Sequence, residues 1–292
     1  MAEIFISMPV YNGAPYLRTA LESLLNQTFT DFEIFISDNA STDDTQNIIS
    51  EFSNKDPRIT CERLEFTVPS QVNFINALNK VNSQFFMLAA HDDYHEPLFI
   101  ENVMKELKKN VGVVGAFCGC KTENYITKNV SENLTPRMNS NNSYYSNLCK
   151  YITAPVPSTI YGIYRYDALD IIKWCFQNPF DWSDVCTMYR IFSKGNFSFC
   201  EDVLFTAGIT SRERDPKPYK MKKGLIDTHY QYGNFFYYGI KAILQTGSFS
   251  FFEKISLIKK HINLVSRCFL SQEPQSPRII RCVVKLIKII TK

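Results

Sequence analysis

The 292-residue chain has no stretch of about twenty uninterrupted apolar residues, the length that a membrane-spanning helix needs. Its first residues, MAEIFISMPVYNG, carry no basic cluster and no extended apolar run, so no signal peptide is expected. Neither GxGxxG nor GxxxxGK(S/T) occurs, which leaves the common dinucleotide and P-loop mechanisms without support. The nine cysteines form no CxxC pair and no Cys/His zinc spacing, and Cys118 and Cys120 stand too close for one. They read as reduced, mostly buried thiols of a cytoplasmic protein. Excess charge is scarce too: 32 basic against 29 acidic residues leave +3, too little to argue for nucleic acid.

What is present describes a folded α/β protein. Apolar residues make up 45% and charged residues 21%, and the length suffices for a sizeable core. The first hundred residues alternate strand and helix. Ile4 to Met8 and Phe32 to Ser37 read as strands, as do Ile59 to Leu64 and the run from Phe85 to Ala90. Between them, Ala14 to Asn26 carries apolar residues at helical spacing. Ser41-Thr42-Asp43-Asp44 reads as an N-cap cluster, and Val72 to Val81 as a third helix. Repeated units of this kind imply a mostly parallel sheet with right-handed crossovers. Further on, Val111 to Cys118 and Ser158 to Tyr164 are strand-like, as are Phe197 to Cys200 and Val203 to Thr206. Residues 121–147 read as a long polar loop, residues 211–223 as a basic one, and the chain from 224 onward as mainly helical.

Polar residues collect where these strands end. The first delivers Pro9-Val10-Tyr11-Asn12-Gly13, the second Ser37-Asp38-Asn39, and the fourth His91-Asp92-Asp93. That edge is where open α/β sheets bind their ligands. Two adjacent carboxylates repel, so Asp92 and Asp93 suggest a compensating cation, a hydroxyl-rich ligand or one raised pKa. Hard oxygen ligands suit Mg²⁺ or Mn²⁺; the plainer alternative is a solvated acidic turn. His91 and His95 flank the acids and invite contact with metal or sugar, although the adjoining carboxylates speak against zinc. Tyr11 offers a ring to stack on a base, and Asp38 a carboxylate for a base N–H. Trp182 suits either an acceptor sugar's apolar face or plain core packing. Arg212, Arg214 and Lys217 suit either closure over a diphosphate or a solvated basic loop.

In order and spacing, PVYNG, SLLNQT, FEIFISDNASTD and AAHDDYHEP together resemble glycosyltransferase family two, over roughly residues 3–97 and more weakly to 207. The resemblance implies a GT-A fold, a Rossmann-like, mostly parallel sheet flanked by helices, and a nucleotide-diphospho-sugar donor, with a UDP-sugar favoured. By it, Pro9, Tyr11 and Asp38 contact the nucleobase, Asp92 lies near the ribose, and Asp93 ligates the Mn²⁺ or Mg²⁺ that bridges the diphosphate. FDWSDVCTMYRIFSKG matches the family's acidic segment before an Arg-bearing helix, which makes Asp184 the general base, with Asp181 its alternative and Arg190 following. One base and in-line displacement imply inversion. Three positions depart from the family pattern: Ala90 and Ser183 where acids are usual, and Val72 where a basic residue is.

The expected organisation is a catalytic domain over 1–215, with a donor half at 1–97 and an acceptor half at 98–215, and a helical extension over 216–292. Within the extension, Arg278, Arg281, Lys285, Lys288 and Lys292 form one stripe on an otherwise apolar helix. Such a helix suits the inner face of the cytoplasmic membrane, or docking on its own domain. The expected activity is transfer of a hexosyl or N-acetylhexosaminyl group to a glycan or lipid-linked acceptor in surface polysaccharide synthesis. The alternatives are an inactive nucleotide-sugar-binding protein and a membrane-associated scaffold. A nucleotidyltransferase would need a Gly-rich basic loop, which PVYNGAPY lacks.

Overall fold

The structure is a computed structural model and describes residues 1–109, 111–131, 138, 141–209 and 225–272. The N-terminal half runs β1 (Ile4–Val10), α1 (Ala14–Leu25), β2 (Phe32–Asp38), α2 (Thr45–Lys55), β3 (Ile59–Arg63), α3 (Ser70–Leu78) and β4 (Phe85–Leu88). β1 is buried along its whole length, as expected of a strand covered by helices on both faces. α1 turns Leu17, Ala20, Leu21 and Leu24 inward at spacings of three and four. β3, β2, β1 and β4 are neighbours in that order and all parallel.

The second half completes the sheet differently. Its elements are β5 (Tyr94–His95), α4 (Phe99–Lys108), β6 (Val113–Asn124), α5 (Tyr144–Thr153), a 3₁₀ helix (Pro157–Tyr161), β7 (Ile163–Arg165), α6 (Leu169–Gln177), α7 (Ser183–Lys194), β8 (Asn196–Ile209), α8 (Leu225–Gln245) and α9 (Phe251–Gln272). The order continues β4-β7-β6-β8-β5, with β7 antiparallel to β4 and β6, β8 parallel to β6, and β5 antiparallel to β8.

Three expectations change here. Ser158 to Tyr164 is mostly a 3₁₀ helix, because Pro157 opens it and the Thr159 hydroxyl bonds back to the Val156 carbonyl at 2.8 Å. The two short strands expected after 196 are one long β8, whose irregular register against β6 leaves Glu201 and Asp202 exposed. β6 runs on to Asn124, so the loop starts later than 121.

α8 and α9 are tied to the sheet's covering helices. The buried His261 ring meets the Tyr189 hydroxyl at 3.2 Å and the Phe235 carbonyl at 3.1 Å, joining α9 to α7 and α8. Burial pushes this imidazole down to about 4, so it works as a neutral hydrogen-bonding pin. No helix among the described residues is long and apolar enough to cross a membrane.

Candidate active site

β1 and β2 end side by side, with Val10 opposite Asp38. Just beyond each strand one non-glycine residue takes a left-handed backbone, Asn12 at φ 48° and Ala40 at φ 53°. The two turns are laced together. The Asn12 N–H donates to Ser41 Oγ at 2.9 Å, the Thr42 N–H to Asn12 Oδ1 at 2.8 Å, and the Gly13 N–H to Thr45 Oγ1 at 2.9 Å. Asp43 accepts from the N–H of Ala14 at 3.2 Å and of Thr45 at 3.1 Å. The Ser41–Asp44 cluster therefore knots two loops as well as opening α2.

Asp38 is buried within this knot. Its Oδ1 accepts the Ser41 N–H at 3.0 Å, and its Oδ2 meets the Arg63 guanidinium at 3.2 Å. Arg63 escaped the sequence reading, although parallel β3 sets it directly opposite Asp38 in register. Pro9 is buried within β1, and Tyr11 stands half-buried at the strand's exit. Asn73 pins the end of β2, donating to the Ser37 carbonyl at 2.9 Å and accepting from the Ser37 hydroxyl at 2.6 Å.

The acidic turn after β4 is held from two other strands. The Gly208 N–H, at the end of β8, donates to Asp93 Oδ1 at 3.0 Å. From just beyond β6, the Tyr125 hydroxyl donates to the Asp92 carbonyl at 2.9 Å, while its ring stacks on Tyr16 at 4.7 Å. Gly208 must lack a side chain, since a Cβ there would overlap the Asp92 carbonyl and press on the Tyr125 ring at 2.6 Å. Asp93 is buried, and its Oδ2 has no hydrogen-bond partner. Burial, with the neighbouring Asp92 charge, holds its pKa well above the usual carboxylate range.

An orphaned buried carboxylate oxygen beside a second acid fits a hard divalent cation. Among the described residues no group of three His, Cys, Asp or Glu side chains is placed to hold a metal. A cation held here would need a ligand rich in oxygen to complete its shell.

Asp184 lies in the first turn of α7, where its Oδ1 accepts the Val185 N–H at 2.8 Å. Burial, with exposed Asp181 adding a smaller push, raises this half-buried carboxyl to about 6. Tyr161 stands at the end of the 3₁₀ helix. Its phenol is raised well above its ordinary range, chiefly by burial and then by the charges of Asp93, Asp92 and Asp184. The charges of all three acids thus act on one phenol. Tyr161 is held by stacking on Phe205 at 6.0 Å. Sequence reading missed it because no motif marks the 3₁₀ helix.

Other expectations resolve one by one. His95 is corrected: it is buried with neither ring nitrogen hydrogen-bonded, and it packs edge-on against Phe99 at 4.8 Å and Phe205 at 5.2 Å. It is a core histidine, pushed down to about 3 by burial. His91 remains near the site, its ring lying over Gly13, where an added Cβ would be 2.8 Å away. One face of Trp182 is occupied by Phe235, stacked at 5.6 Å and 16°, which favours the packing role. The Arg190 guanidinium sits over the Trp174 ring at 4.8 Å. Arg212, Arg214, Lys217 and the basic stripe expected over 278–292 lie outside the described residues.

TarS from S. aureus superposes with a TM-score of 0.69 at 15% identity, covering 99% of this chain and 79% of that one. TarS in complex with UDP-GlcNAc gives 0.68 at 17% identity, with the same coverage. The fold is thus of the GT-A type, a mostly parallel, mixed sheet flanked by helices. A family model for Glycosyl transferase family 2 matches residues 5–172, more than half of the chain, and the chain belongs to that family. Among curated relatives, glycosyltransferase GlyA of Streptococcus pneumoniae is 31% identical over 105 residues, 36% of this chain. Chondroitin synthase of Escherichia coli is 32% identical over 111 residues, 38% of this chain. The match spans only 15% of the first and 16% of the second.

Proposed function

We propose that the protein is an inverting, metal-assisted glycosyltransferase. It takes a hexosyl or N-acetylhexosaminyl group from a nucleotide-diphospho-sugar, a UDP-sugar by preference, to a hydroxyl of a glycan or lipid-linked acceptor in surface polysaccharide synthesis. The observation that carries this reading is Asp184, a carboxyl raised to about 6 whose charge acts on the same Tyr161 phenol as those of Asp92 and Asp93. The UDP-GlcNAc complex of TarS supports the donor class, and the polysaccharide synthases among the relatives support the acceptor class.

In this reading Tyr11 stacks on the base at the exit of β1, Pro9 shapes the floor beneath it, and Asp38 receives a base N–H. Asp92 holds the ribose. Asp93 Oδ2, with donor diphosphate oxygens, would hold Mn²⁺ or Mg²⁺, whose charge offsets that growing on the leaving diphosphate. Asp184 accepts the acceptor hydroxyl proton as that oxygen attacks the anomeric carbon. The new C–O bond forms on the face opposite the departing nucleoside diphosphate, so the configuration inverts. Arg212 and Arg214 close over the diphosphate and exclude water. Residues 1–97 form the donor half, 98–215 the acceptor half and 216–292 the helical extension, in a cytoplasmic protein that works at the inner face of the membrane.

Thermal-shift measurements with UDP-, GDP- and dTDP-sugars, each with and without Mn²⁺, test the reading. One donor should raise the unfolding midpoint, and more so with the metal. If no nucleotide sugar does so at millimolar levels, the assignment fails.

A further inference from the structure

The surface of α8 and α9 carries a feature that the transfer reaction does not use. Phe251 and Phe252, at the start of α9, are 71% and 82% exposed, with rings in edge contact at 5.8 Å. Ile255 extends this face at the next turn, and the C-terminal end of α8 adds Leu244, 54% exposed. The Lys254 ammonium reaches across to the Leu244 carbonyl at 3.1 Å, so the end of α8 and the start of α9 form one tip. Two neighbouring, almost bare phenylalanines are a large apolar liability for a soluble surface unless something covers them.

Charge indicates what covers them. Between Tyr232 and Cys268 the sequence holds five cationic residues, Lys241, Lys254, Lys259, Lys260 and Arg267, against a single acid, Glu253. Lys259 lies seven residues after Phe252 and four after Ile255, so it shares their helix face. On α8, Lys241 stands one turn before Leu244, with its ammonium over the exposed Tyr237 ring at 5.6 Å. Exposed aromatics rimmed by lysines match a bilayer interface, where rings enter the acyl boundary and ammonium groups meet anionic headgroups. A second copy of the same tip would oppose cations with cations.

We propose that the α8–α9 tip docks on an anionic lipid surface, with Phe251 and Phe252 as the inserting side chains. The docking rests on this surface alone. One consequence depends also on the transferase reading. Phe235 stacks on Trp182 beside Asp184, and Leu244 lies nine residues further along α8, about 13 Å of helix. A membrane at the tip therefore stands within reach of the candidate base for a lipid-borne hydroxyl.

The test uses the full chain without nucleotide, so its outcome is independent of catalysis. The protein is sedimented with vesicles of phosphatidylcholine alone and of phosphatidylcholine mixed with phosphatidylglycerol. Binding is expected to the mixed vesicles, with a loss of about tenfold or more in F251S/F252S, since each ring is a full apolar side chain. Lys241→Glu with Lys259→Glu should weaken binding to the anionic vesicles. Phe251, Phe252 and Lys241 are exposed and Lys259 is half-buried outside the core, so both variants should keep the native unfolding midpoint. Independently of these, Phe252→Trp should show blue-shifted emission, quenched by brominated acyl chains, when mixed vesicles are added. The proposal is overturned if the native chain ignores anionic vesicles, or if F251S/F252S binds as the native chain does. A dimer that F251S/F252S dissolves would overturn it as well, by assigning the tip to self-association.

Discussion

The backbone N–H of Gly208 donates to one carboxylate oxygen of Asp93 at 3.0 Å and leaves the other buried with no partner. The end of β8 thus orients an acid that lies 115 residues earlier in the chain. Gly208→Ala should break this relationship, because the new methyl overlaps the Asp92 carbonyl and meets the Tyr125 ring at 2.6 Å. Relief requires the acidic turn to move. Overpacking of this kind costs about 1–3 kcal/mol of stability. A displacement near 1 Å at a reacting site costs about a hundredfold in rate. Denaturant unfolding and a sugar-transfer assay on the same preparation check both. An alanine variant with native turnover would show that the turn does not need Gly208.

Because the described residues offer Asp93 and Asp92 but no third ligand, metal affinity should depend on the donor. Mn²⁺ alone is expected to leave the unfolding midpoint almost unchanged, whereas Mn²⁺ with a nucleotide sugar should raise it beyond the effect of the nucleotide alone. Asp93→Asn should lose that extra increment while retaining nucleotide binding through the β1 and β2 ends. Strong stabilisation by Mn²⁺ without nucleotide would place the metal elsewhere.

Much of this arrangement was legible in the sequence. The helices and parallel strands from Ile4 to Leu88 follow from 3.6-residue and buried-run patterns, and they carry Tyr11, Asp38 and the Asp92–Asp93 pair to one sheet edge. Illegible were the residues that reach this edge from remote strands. Gly208 and Tyr125 arrive through the pairing of β6 with β8, whose register is irregular, and Tyr161 arrives on a 3₁₀ helix that reads as a strand. Arg63 was recoverable, since a parallel β2–β3 pair places it opposite Asp38. His95 misled because a polar residue two positions past an acidic pair looks functional. β5 instead turns it between Phe99 and Phe205.

That placement of His95 makes a prediction of its own. Two buried ring nitrogens without hydrogen bonds carry a desolvation cost of about 1–3 kcal/mol. Leucine, of similar volume, would keep the contacts with Phe99 and Phe205 without that cost. His95→Leu should therefore unfold at a higher denaturant concentration and keep the metal dependence of donor binding. Loss of that dependence would return His95 to the metal site.

Asp184 gives the sharpest separation of function from structure. Its folded pKa is raised from 3.8 to about 6 by burial, so the native state holds a proton that the unfolded chain releases. Native protein then binds more protons than unfolded protein between these values, and stability from this group falls as pH rises from about 4 through about 6. Above that range the charged carboxylate costs at most about 3 kcal/mol, less for a half-buried group. Asp184→Asn removes the charge but keeps an oxygen for the Val185 N–H, so at pH 8 it should be the more stable protein, with the gap closing near pH 4. The reaction should behave oppositely. Turnover by the native protein should rise with pH through about 6 as the base loses its proton, and the Asn variant should lose about 10²–10⁴-fold. Donor-induced thermal shifts should be unaffected. An acid that only complements the α7 dipole would give the reverse, a variant weaker by about 0.3–1 kcal/mol with native turnover. Unfolding curves at pH 4 and pH 8, with a pH–rate profile, decide between the two.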